Sequence, residues 1–227
     1  MANKKQQETR TSIDELNDSL TSATEKVQAN KKYIVWASVA VIAIVCVALL
    51  YVWAFRQPAI QKGNDAIGQA DLQLIAGNDS IALVQYQAVA NSDGFDAGNR
   101  AALQAAILLY KDGKYQEALN YLDKFDAKES IISAGAFSLK GDCYVNLNKL
   151  DDALKCFGKA VDTSDENPVY TPFFMLKEAR VYRAKGDYAK EAKVYEEIKN
   201  EYPQYAGAYG LDVDRYIERA KAQAEAK

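Results

Sequence analysis

Beyond residue 57 the apolar residues recur at steps of three or four, which is the spacing that places them on one face of an α-helix. The clearest run forms two such faces, which contain Phe137, Gly141, Tyr144, Ala153, Phe157 and Ala160. A short polar step, 146–149, separates the two faces. The pattern therefore predicts pairs of antiparallel helices and an all-α fold.

The same pair returns four times, and each first helix carries one small residue at the matching position: Ala70, Ala106, Gly141 and Ala179. Successive small residues are 36, 35 and 38 positions apart. This period resembles that of the tetratricopeptide repeat (TPR), which is about 34 residues long. We therefore expect a TPR-type helical solenoid of about four helix pairs over residues 57–204, followed by a C-terminal capping helix over residues 205–227.

Small residues are expected where the two helices of a pair cross most closely, because only Gly or Ala lets the backbones approach. Ala118 and Ala153 occupy this position in second helices. In the last pair Glu191 stands there, with Ala192 next to it, which predicts a shifted or rotated helix. The capping helix is predicted to turn an outer polar face to solvent, formed by Asp212, Asp214, Arg215, Glu218, Arg219 and Lys221.

Residues 33–55 form a run of 23 residues without a charge, YIVWASVAVIAIVCVALLYVWAF. A helix of this length spans roughly 34 Å, enough to cross a bilayer. Aromatic residues lie near both of its ends, and no cleavage site for a signal peptide follows it. The run predicts an uncleaved, single-pass transmembrane helix.

Residues 1–32 precede this helix and are predicted to form a tail with a short amphipathic helix. A weak self-association contact, a helix lying on the membrane and a frayed tail all remain open for it. Lys26, Lys31 and Lys32 precede the apolar run, whereas Arg56 and Lys62 follow it. This slight positive-inside bias places the N-terminus in the cytoplasm and the repeats on the trans side.

The composition excludes several classes of function. The chain has no histidine, which removes the usual general base and the usual metal ligand, and it has no Gly-rich phosphate loop. Residues 57–227 contain 21 Lys and Arg against 26 Asp and Glu, so a basic face for nucleic acid is not expected. We expect no enzyme activity, metal or cofactor. Cys143 and Cys156 are either a disulfide pair or two buried thiols.

A protein partner is expected on the concave wall that the first helices of the repeats form. The pattern places these residues on it: Ile67, Asp71, Leu74, Ile75, Leu103, Ile107, Tyr110, Ser138, Asp142, Val145, Phe173, Leu176, Arg180 and Arg183. An extended peptide or a partner helix would fit such a groove. The alternative is that the terminal helix, or Tyr202, Tyr205 and Tyr209, covers these apolar residues.

The order of tail, anchor and repeats resembles the bacterial membrane-anchored TPR proteins that are ancillary subunits of the Sec translocon. The segment 186–203 and the run Lys140-Gly141-Asp142, with Tyr144 and Leu147, carry this resemblance. It implies a bacterial inner-membrane protein with a periplasmic TPR domain. Its implied partners are translocon subunits, a periplasmic chaperone or exported clients. The alternative is a structural adaptor for cell-division or outer-membrane assembly machinery.

Overall fold

The computed structural model describes residues 12–92, 95–126 and 129–226. The described part is 85% helix and contains no strand, which confirms the all-α prediction. It divides into two compact units, Met1–Ala59 and Ile60–Lys227. The first eleven residues of the predicted cytoplasmic tail lie outside the described residues.

The first unit contains helix α1 (Ser12–Ala29), helix α2 (Lys31–Tyr51), a π-helical turn (Val52–Arg56) and the start of helix α3 (Gln57–Ile75). None of the side chains of α2 is buried. The most apolar window in this helical region has a mean hydropathy of 2.7. The apolar N-terminal helix is therefore a candidate membrane span.

The described residues of the second unit form the rest of α3 and nine further helices. These are α4 (Asp79–Ser92), α5 (Asp96–Lys111), α6 (Tyr115–Leu122), α7 (Ser130–Asn146), α8 (Leu150–Thr163), α9 (Tyr170–Ala184), α10 (Tyr188–Glu201), α11 (Pro203–Ala208) and α12 (Val213–Glu225). From α4 to α10 each helix packs against the next, and α12 packs against α10. Each repeat thus contacts mainly its neighbours, as in a solenoid.

The turn inside each helix pair is built in the same way. Gly77, Gly113, Asn148 and Gly186 follow the first helices and have φ of +79°, +75°, +57° and +72°. The next residue donates its N–H to the carbonyl five positions earlier, as Lys114 does to Leu109 at 2.9 Å. This is the Schellman motif, which requires a left-handed residue and so favours Gly or Asn. These turn residues are separated by the same 36, 35 and 38 positions as the small residues.

Small residues lie at the crossings of the helices. Ala70, Ala106, Ala118, Ala153 and Ala179 are each 0% exposed, and Gly141 is buried as well. A methyl group on Gly141 would lie 2.5 Å from Cε1 of Phe157, whose side chain is only 1% exposed. The α7–α8 crossing therefore has room for a hydrogen atom at this position and for nothing larger.

The three cysteines are all free thiols. Cys143 is buried in the core cluster of the first repeats, and burial raises the pKa of its thiol to about 12. Cys156 is partly buried, and burial raises its pKa as well. Both thiols therefore favour the protonated, less nucleophilic form at neutral pH.

The close crossing predicts opposite effects for two helical Gly→Ala substitutions. Gly141→Ala should lower the free energy of unfolding by about 1 kcal/mol, because overpacking against the Phe157 ring outweighs the better helix propensity. Gly158→Ala is the control, since a methyl group there meets no atom within 4 Å. It should raise the free energy of unfolding by about 0.5–1 kcal/mol. Denaturant unfolding measures both values.

Gly141→Ala should cost less in a Phe157→Leu background than in the parent protein, because the ring is the group that the new methyl contacts. A Gly141→Ala variant as stable as Gly158→Ala would contradict the proposed crossing.

Candidate functional site

An apolar pocket of about 430 Å³ lies on the wall formed by the first helices α5, α7 and α9. We call it the apolar pocket. It is lined by Leu103, Ile107, Ile131, Ile132, Gly135, Ala136, Ser138, Leu139, Asp142, Tyr170, Phe173, Phe174 and Lys177. Ile132 and Phe173 keep 46% and 43% of their surface exposed. The volume lies in the range of about 300–1,000 Å³ that is usual for ligand pockets.

The apolar pocket brings together five of the residues predicted on the concave wall: Leu103, Ile107, Ser138, Asp142 and Phe173. Ile132, Gly135, Tyr170 and Lys177 also line the pocket but were not among the predicted wall residues. The signal was available, since Ile132, Gly135 and Leu139 continue the stripe of Asp142 back to the start of α7 at steps of three and four.

One ion pair closes an edge of the apolar pocket. Lys177 Nζ lies 2.5 Å from Asp142 Oδ2, and the two side chains are only 19% and 25% exposed. The ammonium group also lies 5.1 Å from the centre of the Phe173 ring and 5.7 Å from that of Phe157. The pair joins α7 to α9.

Ser138 is a polar residue in this mostly apolar lining. Its side chain is 3% exposed, and its Oγ has no hydrogen-bond partner among the described residues. An unpaired buried hydroxyl costs free energy, so a ligand group that bonded to it would gain stabilisation.

Three of the four predicted wall residues of α3, Ile67, Asp71 and Leu74, contact the core of the first repeat instead. Ile67 is 2% exposed and belongs to the core, and Leu74 packs against it. The Tyr86 hydroxyl donates a hydrogen bond to Asp71, and burial raises the pKa of Tyr86 far above its usual value. Arg100 lies 3.9 Å from the same Asp71 carboxylate. Ile75 is 83% exposed and lies outside the apolar pocket.

The remaining wall residues differ in exposure. Tyr110 is partly buried and its ring centre lies 5.5 Å from that of Tyr115, with the two rings tilted by 60°, whereas Val145 is 38% exposed. Neither lines the apolar pocket.

A second, smaller pocket lies where α9 meets the C-terminal helix. We call it the arginine pocket, and its volume is about 140 Å³. It is lined by Leu176, Arg180, Arg183, Tyr195, Leu211, Tyr216 and Arg219. Leu211 and Tyr216 share the lining with Leu176, and Tyr216 stacks on Tyr195 at 5.2 Å. The C-terminal helix therefore lies beside the predicted wall only at the last repeat. No residue of that helix lines the apolar pocket.

Glu191 fills the place where the last pair was expected to have a small residue. Its side chain is 0% exposed, and one carboxylate oxygen accepts from Arg219 Nη2 at 2.5 Å. The prediction that Arg219 belongs to the outer polar face is therefore wrong, since this side chain is 30% exposed and faces α10. The reason is tertiary, because the pair joins residues 28 positions apart.

In the part of the chain that the structure describes, no three His, Cys, Asp or Glu residues are arranged to hold a metal ion. Asp151 pairs with Lys185, and this lowers the pKa of its exposed carboxyl group.

Two family models match the sequence. The model described as anaphase-promoting complex, cyclosome, subunit 3 matches residues 86–160, and a tetratricopeptide repeat model matches residues 174–205. No curated protein has a significantly similar sequence.

Several solved structures have a similar fold. A MamA crystal structure has 18% identity and a TM-score of 0.54, covering 72% of this chain and 92% of its own. MamA from Desulfovibrio magneticus RS-1, residues 41 to the end, has 18% identity and a TM-score of 0.52, covering 61% and 75%. TPR-like repeats of a kinesin light chain from Podospora anserina have 14% identity and a TM-score of 0.50, covering 70% and 93%. The TPR-type solenoid fold is thereby confirmed, and at these identities the likeness concerns the fold alone.

The buried Glu191–Arg219 pair predicts a strong asymmetry between single and double substitutions. Arg219→Leu alone should lower the free energy of unfolding by about 2–4 kcal/mol, because it leaves a buried carboxylate unpaired. The loss should be smaller than for a fully buried ion pair, because Arg219 is partly exposed. The double variant Glu191→Leu/Arg219→Leu should recover much of this loss. A double-mutant cycle by denaturant unfolding measures the coupling. Additive effects would contradict the pair.

Proposed function

We propose that this chain, a TPR-type repeat protein, is a non-catalytic scaffold that binds a protein partner in its apolar pocket. The observation that carries the proposal is the pocket itself, which three successive repeats build from apolar side chains and leave open. Exposed apolar surface of this kind is expected to be covered by a partner.

The lining indicates how a partner would be held. Burying one large apolar side chain contributes about 1.5–3 kcal/mol, and the pocket offers Leu103, Ile107, Ile132 and Phe173 as contacts. A partner helix or an extended peptide would insert an apolar residue here. Lys177 and Asp142 at the edge are paired with each other, so neither adds an unpaired charge to the apolar contacts.

The proposal extends to the cellular setting. The apolar N-terminal helix is the anchor, the N-terminus is cytoplasmic, and the repeats lie on the periplasmic side of a bacterial inner membrane. Its partners are translocon subunits, a periplasmic chaperone or exported clients. This part is supported by the slight positive-inside bias and by the resemblance to ancillary Sec subunits.

A matched pair of substitutions tests the apolar pocket. Ile107→Asp should reduce recovery of the partner from native membranes by about tenfold or more, because it places a carboxylate among apolar contacts. Val84→Asp is the control, since Val84 is 65% exposed on α4 and does not line the pocket. Mass spectrometry after a photocrosslink from position 173 identifies the partner. Equal loss with both variants would contradict the proposal.

Exchange of the anchor tests the translocon part separately. Replacing residues 33–55 with an unrelated transmembrane helix should abolish association with translocon subunits if the anchor contacts them. The protein is purified from native membranes in mild detergent, and copurified subunits are quantified. Association that survives the exchange, or copurification of division or outer-membrane assembly proteins instead, would contradict this part and leave the apolar pocket proposal standing.

A further inference from the structure

The arginine pocket is unusual in its charge. Three arginines line it, two from α9 (Arg180 and Arg183) and one from α12 (Arg219). Arg180 and Arg183 are exposed, whereas Arg219 is partly buried. Three positive side chains around one pocket make it favourable for an anion.

The carboxylates of the protein leave most of this charge unbalanced. Glu191 pairs with Arg219 alone. Among the described residues, no carboxylate lies within ion-pairing distance of Arg180 or Arg183, and the Nε–H of Arg219 has no acceptor. With one carboxylate against three guanidinium groups, the pocket carries a net charge of about +2, which a bound anion would offset.

The size and the donors of the pocket limit the ligand. Its volume of about 140 Å³ is close to the ~150 Å³ of a cavity that holds benzene, so it accepts the end of one side chain. Guanidinium groups bind carboxylates through paired N–H donors. The Glu191 carboxylate takes one such N–H bond, from Arg219 Nη2 at 2.5 Å, and leaves the Nε–H of Arg219 without a partner.

Helix α9 connects the arginine pocket to the apolar pocket. Phe173 lines the apolar pocket and Arg180 the arginine pocket, seven residues further along α9. Seven residues of helix rise by about 10 Å. One partner segment could therefore contact both pockets at once.

We propose that the arginine pocket binds the side-chain carboxylate of an acidic residue in the partner, about 10 Å from the residue that fills the apolar pocket. This inference rests on the proposed function, which supplies the protein partner. The recognised segment is then acidic at one end and apolar at the other.

The test uses the intact protein in neutral detergent and three probes. Acetyl-Glu-Glu-amide carries two side-chain carboxylates and no terminal charge, acetyl-Gln-Gln-amide is its neutral match, and inorganic phosphate is the alternative anion. Binding is followed through the Nε–Hε resonances of the arginine side chains. The acidic dipeptide should shift those of Arg183 and Arg219, and the neutral one should not.

Arg183→Gln should weaken binding of the acidic dipeptide by roughly tenfold or more, because one charge-assisted contact is lost. Arg215→Gln removes the same charge from an exposed position of α12 outside the pocket and should leave binding unchanged. Equal weakening by both variants, a response to phosphate alone, or no response to any probe would overturn the inference. None of these outcomes touches the proposed function, since the dipeptide has no apolar residue for the apolar pocket.

Discussion

The close approach of the two helices in each pair is the constraint on which the rest of the structure depends. At Gly141 the Phe157 ring occupies the space that any side chain would need, and at the other crossings the alanines have no exposed surface. Helices that cross this closely stack in register, so the first helices of successive pairs share one wall. The apolar pocket needs three such helices side by side. A wider crossing would separate the side chains that form it.

The last repeat meets this constraint in a different way. Glu191 is far larger than alanine, and burying its carboxylate alone would be costly. Arg219 offsets that cost, and the pair fixes α12 against α10. The same contact brings a third guanidinium group beside Arg180 and Arg183. One departure from the repeat pattern thus closes the solenoid and creates the arginine pocket.

The fold was largely predictable, because it depends on local spacing. The small residues and the turn residues share one period, and each acts within its own helix pair. The candidate site was predictable in part: the stripe on each first helix placed Leu103, Ile107 and Phe173 on the wall. It also placed Ile67 there, although this residue is core. Helical periodicity identifies a face, whereas the packing of the neighbouring helix decides which part of that face remains open.

The sequence by itself determined the helix pairs, their period, the apolar N-terminal helix and the absence of histidine. Each of these follows from residue type and short-range spacing, since the hydrogen bonds of a helix and of a Schellman turn join residues at most five positions apart. Only the tertiary structure decided that Lys177 pairs with Asp142 and that Arg219 pairs with Glu191. These contacts join residues 35 and 28 positions apart. Their formation depends on the angle at which successive helices stack, which no local pattern specifies.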